Sequence, residues 1–280
     1  MPDIGFLNGE FMPLNQVRIS IEDRGFQFGD GVYEVLRTYG GVPFQLNAHL
    51  ERLERSALAI GLNMPVNSSK WEEWIREGVK RAGYPECRVY VQVTRGVAPR
   101  DHLFPNRTTA TIVMSVREMH PLNPVLCDAG VVVITMDDLR WGRCDIKSIN
   151  LLPNVLARQR ASEAGAFEAI LFRGDTVTEG AVSNVMIVRA GHVITPPEGM
   201  HILSGVTRQF VLNLAHKDGI PVEERNVSLR EFRQAEEVFL TGTTIEVLPV
   251  VRIDNALVAS GHPGLLTKRL RALFLEHIER

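Results

Sequence analysis

Lysine is scarce in this chain, and one of its few lysines stands in an unusual setting. Only five of the 31 basic residues are lysines, and four of them lie in polar, helix-surface contexts, whereas Lys147 lies in the apolar stretch 146–152. Burial lowers the pKa of a lysine and makes its amine nucleophilic, although a lysine can also extend along an apolar edge into water. Lys147 is therefore a candidate for Schiff-base chemistry with the carbonyl of a substrate or of a cofactor.

An acidic residue about thirty positions further on could serve the same chemistry. Glu179 stands between β-branched residues and a Gly-Ala turn. The simplest interpretation is a solvated carboxylate at the end of a strand. The functional alternative is a partner for the pyridine nitrogen of pyridoxal phosphate, the cofactor that acts as an electron sink on reactive lysines.

Two segments have the composition of phosphate-binding turns. Residues 203–207 open a predicted helix, where free N–H groups and the helix dipole attract anions. Residues 241–244 follow a predicted strand and offer backbone amides together with hydroxyl groups. Arg52, on another predicted helix, could add a positive charge. Each feature alone is common in proteins, and it is their joint occurrence with Lys147 and Glu179 that predicts a phosphate-bearing cofactor.

A further candidate is a loop between two prolines, Pro99 and Pro105, which carries Arg100 and His102. The loop could simply be solvated. The functional interpretation is a grip on a carboxylate, because the fork of the arginine side chain matches that group.

Composition excludes several other classes of protein. The net charge of −2 over 280 residues gives no basic field for nucleic acid or acidic lipid. The start of the chain does not resemble a secretory signal, no apolar run is long enough to span a membrane, and three scattered cysteines fit a reducing compartment. The eight histidines show no metal-ligand spacing, and Walker, G-x-S-x-G and H-E-x-x-H motifs are absent from the sequence. We therefore expect a soluble cytoplasmic protein with no metal site.

The order of predicted elements indicates an α+β protein of two α/β domains. Strands at 32–39 and 42–46 flank a Gly-Gly turn, and a helix capped by Asn47 and a helix starting at Ser69 follow. We expect a small N-terminal domain over 1–119 and a proline-containing linker over 120–124. A large domain over 125–280 would then carry the cofactor site.

These motifs resemble the fold-type IV (class IV) pyridoxal-phosphate aminotransferases, and most closely their D-amino-acid branch. The likeness runs in order from the segment 22–34, Glu-Asp-Arg-Gly-Phe-Gln-Phe-Gly-Asp-Gly-Val-Tyr-Glu, to the turn at Thr241. It implies that Lys147 is the catalytic residue that carries the cofactor covalently and that Glu179 pairs with the ring nitrogen. It further implies cofactor contacts from Arg52, Val206, Thr207 and Thr243, and a carboxylate trap made of Tyr33, Arg100 and His102.

The resemblance also implies an activity and a set of partners. The expected reaction is a ping-pong transfer of an amino group from a D-amino acid such as D-alanine to a 2-oxo acid, 2-oxoglutarate or pyruvate, by a homodimer. An L-branched-chain aminotransferase, an R-selective amine transaminase and a non-catalytic carrier of pyridoxal phosphate are the alternatives. The chain departs from the D-amino-acid branch at Ala181 and Val182, which replace two hydroxyl residues, and at Gly242, where serine is common.

Overall fold

The computed structural model describes residues 3–278, and the chain forms two compact units. The first unit contains the chain up to His120 together with Ile146–Asn150, and the second contains Pro121–Asp145 and the chain from Leu151 onward. The expected linker is short, because residues 121–123 lie outside helices and strands and Pro124 already begins a helix. The lysine segment differs from expectation, since it packs with the first unit and not with the C-terminal one.

In the described part of the first unit, the strands form one six-stranded sheet in the order β2-β1-β6-β5-β3-β4, with every neighbouring pair antiparallel. The strands are β1 (Ile4–Leu7), β2 (Glu10–Pro13), β3 (Gly31–Tyr39), β4 (Val42–Pro43), β5 (Cys87–Thr94) and β6 (Thr111–Glu118). The short β4 pairs only with the end of β3. The beginning of β3 therefore keeps one edge for another segment.

The helices of the first unit are α1 (Arg24–Phe28), α2 (Leu46–Ala59) and α3 (Ser68–Ala82). The Asp23 side chain caps α1 by accepting a hydrogen bond from the Gly25 amide. The expected cap at Asn47 is wrong, because α2 already begins at Leu46 after Gln45, which has a left-handed backbone and makes no side-chain cap. The expected start of α3 at Ser69 is also displaced, since Asn67 caps that helix.

The lysine segment pairs with the edge of β3 that β4 leaves uncovered. The Tyr33 amide donates to the Lys147 carbonyl at 3.0 Å, and the Ile149 amide donates to the Gly31 carbonyl at 3.2 Å. Ile146 joins the apolar core that α2, α3 and the sheet enclose. Backbone pairing on one side and core packing on the other fix the direction of the Lys147 side chain.

The described strands of the second unit form a nine-stranded mixed sheet in the order β12-β11-β10-β13-β14-β7-β8-β9, with β15 beside β14. They are β7 (Val131–Asp137), β8 (Glu168–Arg173), β9 (Thr176–Gly180), β10 (Asn184–Arg189), β11 (His192–Thr195), β12 (Val222–Glu224), β13 (Glu237–Gly242), β14 (Glu246–Ile253) and β15 (Ala256–Leu257). Its helices are α4 (Pro124–Ala129), α5 (Leu152–Glu163), α6 (Val206–Lys217), α7 (Leu229–Arg233) and α8 (Leu265–Ile278). None of the helices over residues 3–278 is long and apolar enough to span a membrane.

Candidate active site

Lys147 is held at both ends of its peptide unit and carries its amine over an aromatic ring. Its backbone N–H donates to the Ser56 hydroxyl at 3.1 Å, and its carbonyl accepts from the Tyr33 amide. The Nζ atom lies 4.4 Å from the centroid of the Tyr33 ring. The side chain is half-buried, so the amine is fixed in position and still reachable. These contacts bring together two of the residues that the sequence assigned to the site.

Arg52, the expected phosphate ligand of the first unit, is part of a buried charged group with Glu34 and His49. Arg52 donates to both oxygens of Glu34, at 2.7 and 2.9 Å, and His49 Nδ1 lies 2.7 Å from Glu34 Oε2. The Glu34 carboxyl is fully buried. Burial alone would raise the pKa of Glu34, but the charge of Arg52 and the contact with His49 hold it far below its ordinary value. This carboxylate fixes the orientation of the Arg52 guanidinium.

His49 is the neutral member of this group. Burial lowers the pKa of His49 more strongly than the neighbouring Glu34 raises it, and the charge of Lys147 acts in the same direction as burial. An ionised Glu34 can only accept hydrogen bonds, so His49 Nδ1 carries the proton and donates. Lys147 and Arg52 therefore lie in the electrostatic environment of one buried carboxylate.

We expect Glu34→Gln to lower the free energy of unfolding by about 3 kcal/mol at pH 7, because it leaves buried Arg52 without its charged partner. The pKa of Glu34 is lowered in the folded chain from a value of 4.5. Its contribution is therefore fully present above pH 4.5 and is lost as the pH falls below that value. Urea unfolding at pH 7 and at pH 3.5 (roughly one unit below the unfolded pKa) measures both effects.

The matched control is Glu72→Gln, which removes an exposed pair between Glu72 and Arg76 on α3. Exposed pairs of this kind contribute at most about 1 kcal/mol. Equal losses for the two variants, or a difference that grows on acidification, would contradict the assignment of Glu34 as a buried ionised group.

In the second unit, Glu179 is a buried carboxyl with several donors around it. Arg140 Nη1 donates to Oε1, while the Asn184 amide and the Leu203 backbone N–H donate to Oε2 at 3.0 and 3.1 Å. A carboxylate can accept about four hydrogen bonds, so these three donors leave one position for a further N–H group. The protonated nitrogen of a pyridine ring is a group of that kind.

The electrostatics of Glu179 also fit a pyridine nitrogen. Burial raises the pKa of Glu179 to about 7, and the charge of Arg140 only partly counteracts it. Arg140 is itself held by two hydrogen bonds of 2.9 Å to the buried carboxylate of Asp138. Asp138 keeps a pKa of about 2 despite its burial, because Arg140 and Arg173 both donate to it. A carboxyl with a raised pKa competes well for a proton shared with a ring nitrogen.

Asn184 brings Glu179 close to both expected phosphate-binding segments of the second unit. Its amide donates to Glu179 and to the Leu203 carbonyl, and its register partner in the sheet is Thr241. Gly205 packs so closely on Asn184 that an added Cβ would overlap the Asn184 Oδ1 atom. The start of α6 and the turn after β13 therefore flank the same asparagine.

Both segments have groups that suit a phosphate. The first helical residues of α6 are Val206 and Thr207, and Gly205 at its N-cap provides no side-chain cap, so the first amides of the helix point to an incoming anion. Gly242 and Glu246 close the other segment as a tight hairpin, with Thr243 half-buried inside it. Beside it, Thr241 Oγ1 is buried without a hydrogen-bond partner among residues 3–278. This donor set fits the phosphate of a pyridoxal cofactor.

Arg100 and His102 lie on an exposed loop of the first unit and share one aromatic neighbour. The guanidinium carbon of Arg100 lies 4.5 Å from the centroid of the Phe28 ring, and the His102 ring lies 5.3 Å from the same centroid. The structure thus places these two residues together. No contact of either residue with Tyr33, the third expected member of the carboxylate trap, is present in the described part of the first unit.

Sequence reasoning missed the side chains that hold the expected site residues. Glu34 and His49 flank predicted residues but had no role assigned to them, and Asn184 closes the motif that begins at Glu179. A polar residue at an inward position of a predicted strand was the signal available for Glu34 and Asn184. Arg140 had no local signal, because its partner Glu179 lies 39 residues away.

Comparison with known proteins defines the class. Residues 31–253 match the family Amino-transferase class IV, and this match spans most of the chain. The chain therefore belongs to the class IV aminotransferases.

Relatives and solved structures give a finer picture of what the chain is similar to. A D-alanine aminotransferase of Bacillus licheniformis is 44% identical over 94% of this chain and 93% of the relative. Another from Listeria monocytogenes is 42% identical over 98% and 96%. A branched-chain amino acid aminotransferase from the organism abbreviated T.th., solved with pyridoxamine 5′-phosphate, has a TM-score of 0.91 and 29% identity, covering 98% of this chain and 93% of that chain. The corresponding Escherichia coli structure, at 23% identity and a TM-score of 0.88, covers 98% and 94% and supports the fold alone.

Proposed function

We propose that this class IV aminotransferase transfers the amino group of a D-amino acid of the alanine type to a 2-oxo acid, with pyridoxal 5′-phosphate as its cofactor. One observation carries the choice of donor: D-alanine aminotransferases match 94–98% of the chain at 42–44% identity. The branched-chain aminotransferases share its fold at 23–29% identity. The L-branched-chain alternative is therefore the second candidate.

Each expected site residue has a role in this reaction. When bound, the cofactor supplies an electron sink that stabilises negative charge on the substrate α-carbon. Lys147 Nζ binds the cofactor aldehyde and then moves the proton that leaves the α-carbon. Tyr33, whose ring lies below that amine, orients it. The positions of both groups are set by the pairing of the 146–150 segment with β3.

The remaining residues bind and orient. Glu179 Oε2 or Oε1 holds a proton on the ring nitrogen, and Arg140 and Asn184 keep its carboxyl in place. Arg52, the first amides of α6 at Val206 and Thr207, and the turn at Thr243 bind the phosphate. Arg100 and His102 bind the substrate carboxylate.

We further propose a homodimer in the cytoplasm. Two features of the chain support this proposal. The first unit exposes a group of large apolar side chains that a second copy could cover: Ile21, Phe26, Leu103 and Phe104. The three cysteines are buried and unpaired, as in a reducing compartment. Light scattering of the purified enzyme measures the oligomeric state.

The proposed function is tested by mixing the cofactor-loaded enzyme with D-alanine or with L-alanine and following the visible absorption of the cofactor. We expect D-alanine to change the spectrum at a rate at least about a hundredfold higher than L-alanine. A branched-chain L-amino acid that reacts faster than D-alanine would identify the alternative. A spectrum that no amino donor changes would exclude transamination.

A further inference from the structure

Two buried arginines of the first unit share a single carboxylate. Arg24 Nε donates to Asp30 Oδ2 at 2.8 Å, and Arg95 donates to both Asp30 oxygens, at 2.8 and 3.0 Å. The two arginines are only 3% and 8% exposed. Burial alone would raise the pKa of Asp30, but the hydrogen bonds and charges of Arg95 and Arg24 lower it below its ordinary value. The group is therefore charged and held together by strong hydrogen bonds.

The remaining donors of these arginines reach two separate backbone segments. Arg24 Nη1 donates to the carbonyl oxygens of Asp101 and Leu103, at 2.6 and 3.2 Å. Arg95 donates to the carbonyl oxygens of Ile60 and Gly61, at 2.8 and 2.9 Å, where α2 ends. Asp30 thus connects the loop over residues 96–105 to the end of a helix.

The same loop is attached at both of its ends. At its start, the Arg24 amide donates to the Gly96 carbonyl at 2.9 Å, and the Ala98 amide donates to the Glu22 carbonyl at 3.2 Å. Near its end, the guanidinium carbon of Arg95 lies 3.7 Å from the centroid of the Phe104 ring. An exposed loop normally has few such contacts and moves freely. Here its backbone is fixed, although the side chains at its tip are exposed.

The tip of the loop carries Arg100 and His102, and both rest on Phe28 at the end of α1. Arg24, at the start of the same short helix, also lies against the Phe28 ring, at 4.9 Å. Phe28 therefore connects the buried arginine with the two exposed side chains. A shift of Arg24 would move both the backbone of the loop and the ring on which its tip rests.

We propose that Asp30, Arg24 and Arg95 form a clamp that positions the 96–105 loop and thereby sets the affinity of the enzyme for the α-carboxylate of both its substrates. This proposal rests on the proposed function, in which Arg100 and His102 bind that carboxylate. The three residues of the clamp are positioning residues. The amino donor and the 2-oxo acid acceptor share the α-carboxylate, so a displaced loop raises the KM of both substrates together.

The test is Asp30→Asn in the cofactor-loaded enzyme, which replaces two charged acceptor oxygens by one neutral oxygen. We expect the KM values for D-alanine and for 2-oxoglutarate each to rise about tenfold, with kcat changed less than about threefold. Hydrogen exchange of the backbone amides over residues 97–104 should become faster. The matched control is Asp218→Asn, which alters an exposed Asp218–Arg269 pair with the same two-bond geometry and should leave both KM values unchanged.

A double-mutant cycle with Arg100→Ala separates this proposal from the proposed function. If the clamp acts through the loop, Asp30→Asn raises KM much less in the Arg100→Ala background than in the wild type. The same increase in both backgrounds, or an increase for only one substrate, would overturn the clamp. An Arg100→Ala variant with an unchanged KM would instead contradict the carboxylate trap of the proposed function.

A milder variant covers the case in which Asp30→Asn does not fold. Arg24→Lys keeps the positive charge but cannot donate to Asp30 and to two loop carbonyls with the same fork. We expect the same paired rise of both KM values, with normal cofactor absorption. A folded Arg24→Lys enzyme with wild-type KM values and wild-type exchange of the loop would overturn the proposal.

Discussion

Lys147→Ala is expected to reduce the rate of transamination by at least about a thousandfold, the largest effect of any single substitution in this chain. The substitution removes the amine that lies over the Tyr33 ring and leaves the backbone pairing with β3 in place. The protein should therefore fold normally and still take up cofactor without a covalent bond. Steady-state assays with D-alanine, together with thermal unfolding, measure both consequences.

The control for this variant is Lys217→Ala, at the exposed end of α6. It removes the same kind of side chain far from any residue assigned to the site, and its activity should equal that of the wild type. A Lys147→Ala enzyme that keeps a tenth of the wild-type rate would show that another group moves the proton.

Glu179→Gln is expected to give the second-largest effect, a fall in kcat of about two to three orders of magnitude. The amide keeps the shape of the side chain but cannot hold a positive charge on the ring nitrogen. One end of the amide would also present N–H groups to Arg140 or to Asn184, which are themselves donors. The cofactor should still bind covalently, so its absorption remains while turnover is lost.

Two further variants interpret this result. Glu231→Gln alters a carboxylate that receives two hydrogen bonds from Arg225 in the same unit, and we expect unchanged kcat. Glu179→Asp keeps the charge and should recover part of the lost rate. If Glu179→Gln stays within about threefold of the wild type, against the 10²- to 10³-fold loss that electrostatic contacts of this kind usually cause, Glu179 does not support the ring nitrogen.

The sequence predicted the elements around the site better than their ends. The helix that opens at Gly205 is present as α6, and the strand that leads to Lys147's partner Tyr33 is present as β3. The N-cap of α2 was wrong because Gln45 adopts a left-handed backbone and the helix begins without a side-chain cap. Capping preferences describe average helices, and tertiary packing decided this one.

The domain assignment shows a second limit. Lys147 follows the first strands of the C-terminal unit along the chain, so chain order placed it there. In the structure, Ile146–Asn150 pairs instead with β3, more than a hundred residues earlier. Pairing between distant segments depends on which strand edge remains uncovered, and this edge became visible only once β4 proved to be two residues long.

The long-range ion pairs were beyond the sequence for a related reason. Asp30 and Arg95 are 65 residues apart, and Arg140 and Glu179 are 39 apart. The chain has 31 basic and 33 acidic residues, so charge alone allows far too many pairings to choose among. Only burial on adjacent elements singles out these pairs.

The most direct test of the account is to identify the residue that carries the cofactor. Borohydride reduction of the cofactor-loaded enzyme makes the bond between cofactor and lysine permanent, and mass spectrometry of the digested protein then locates it. We predict a single modified peptide with the label on Lys147. A label on Lys70, Lys80, Lys217 or Lys268, or a protein that remains unlabelled after incubation with pyridoxal phosphate, would contradict the account.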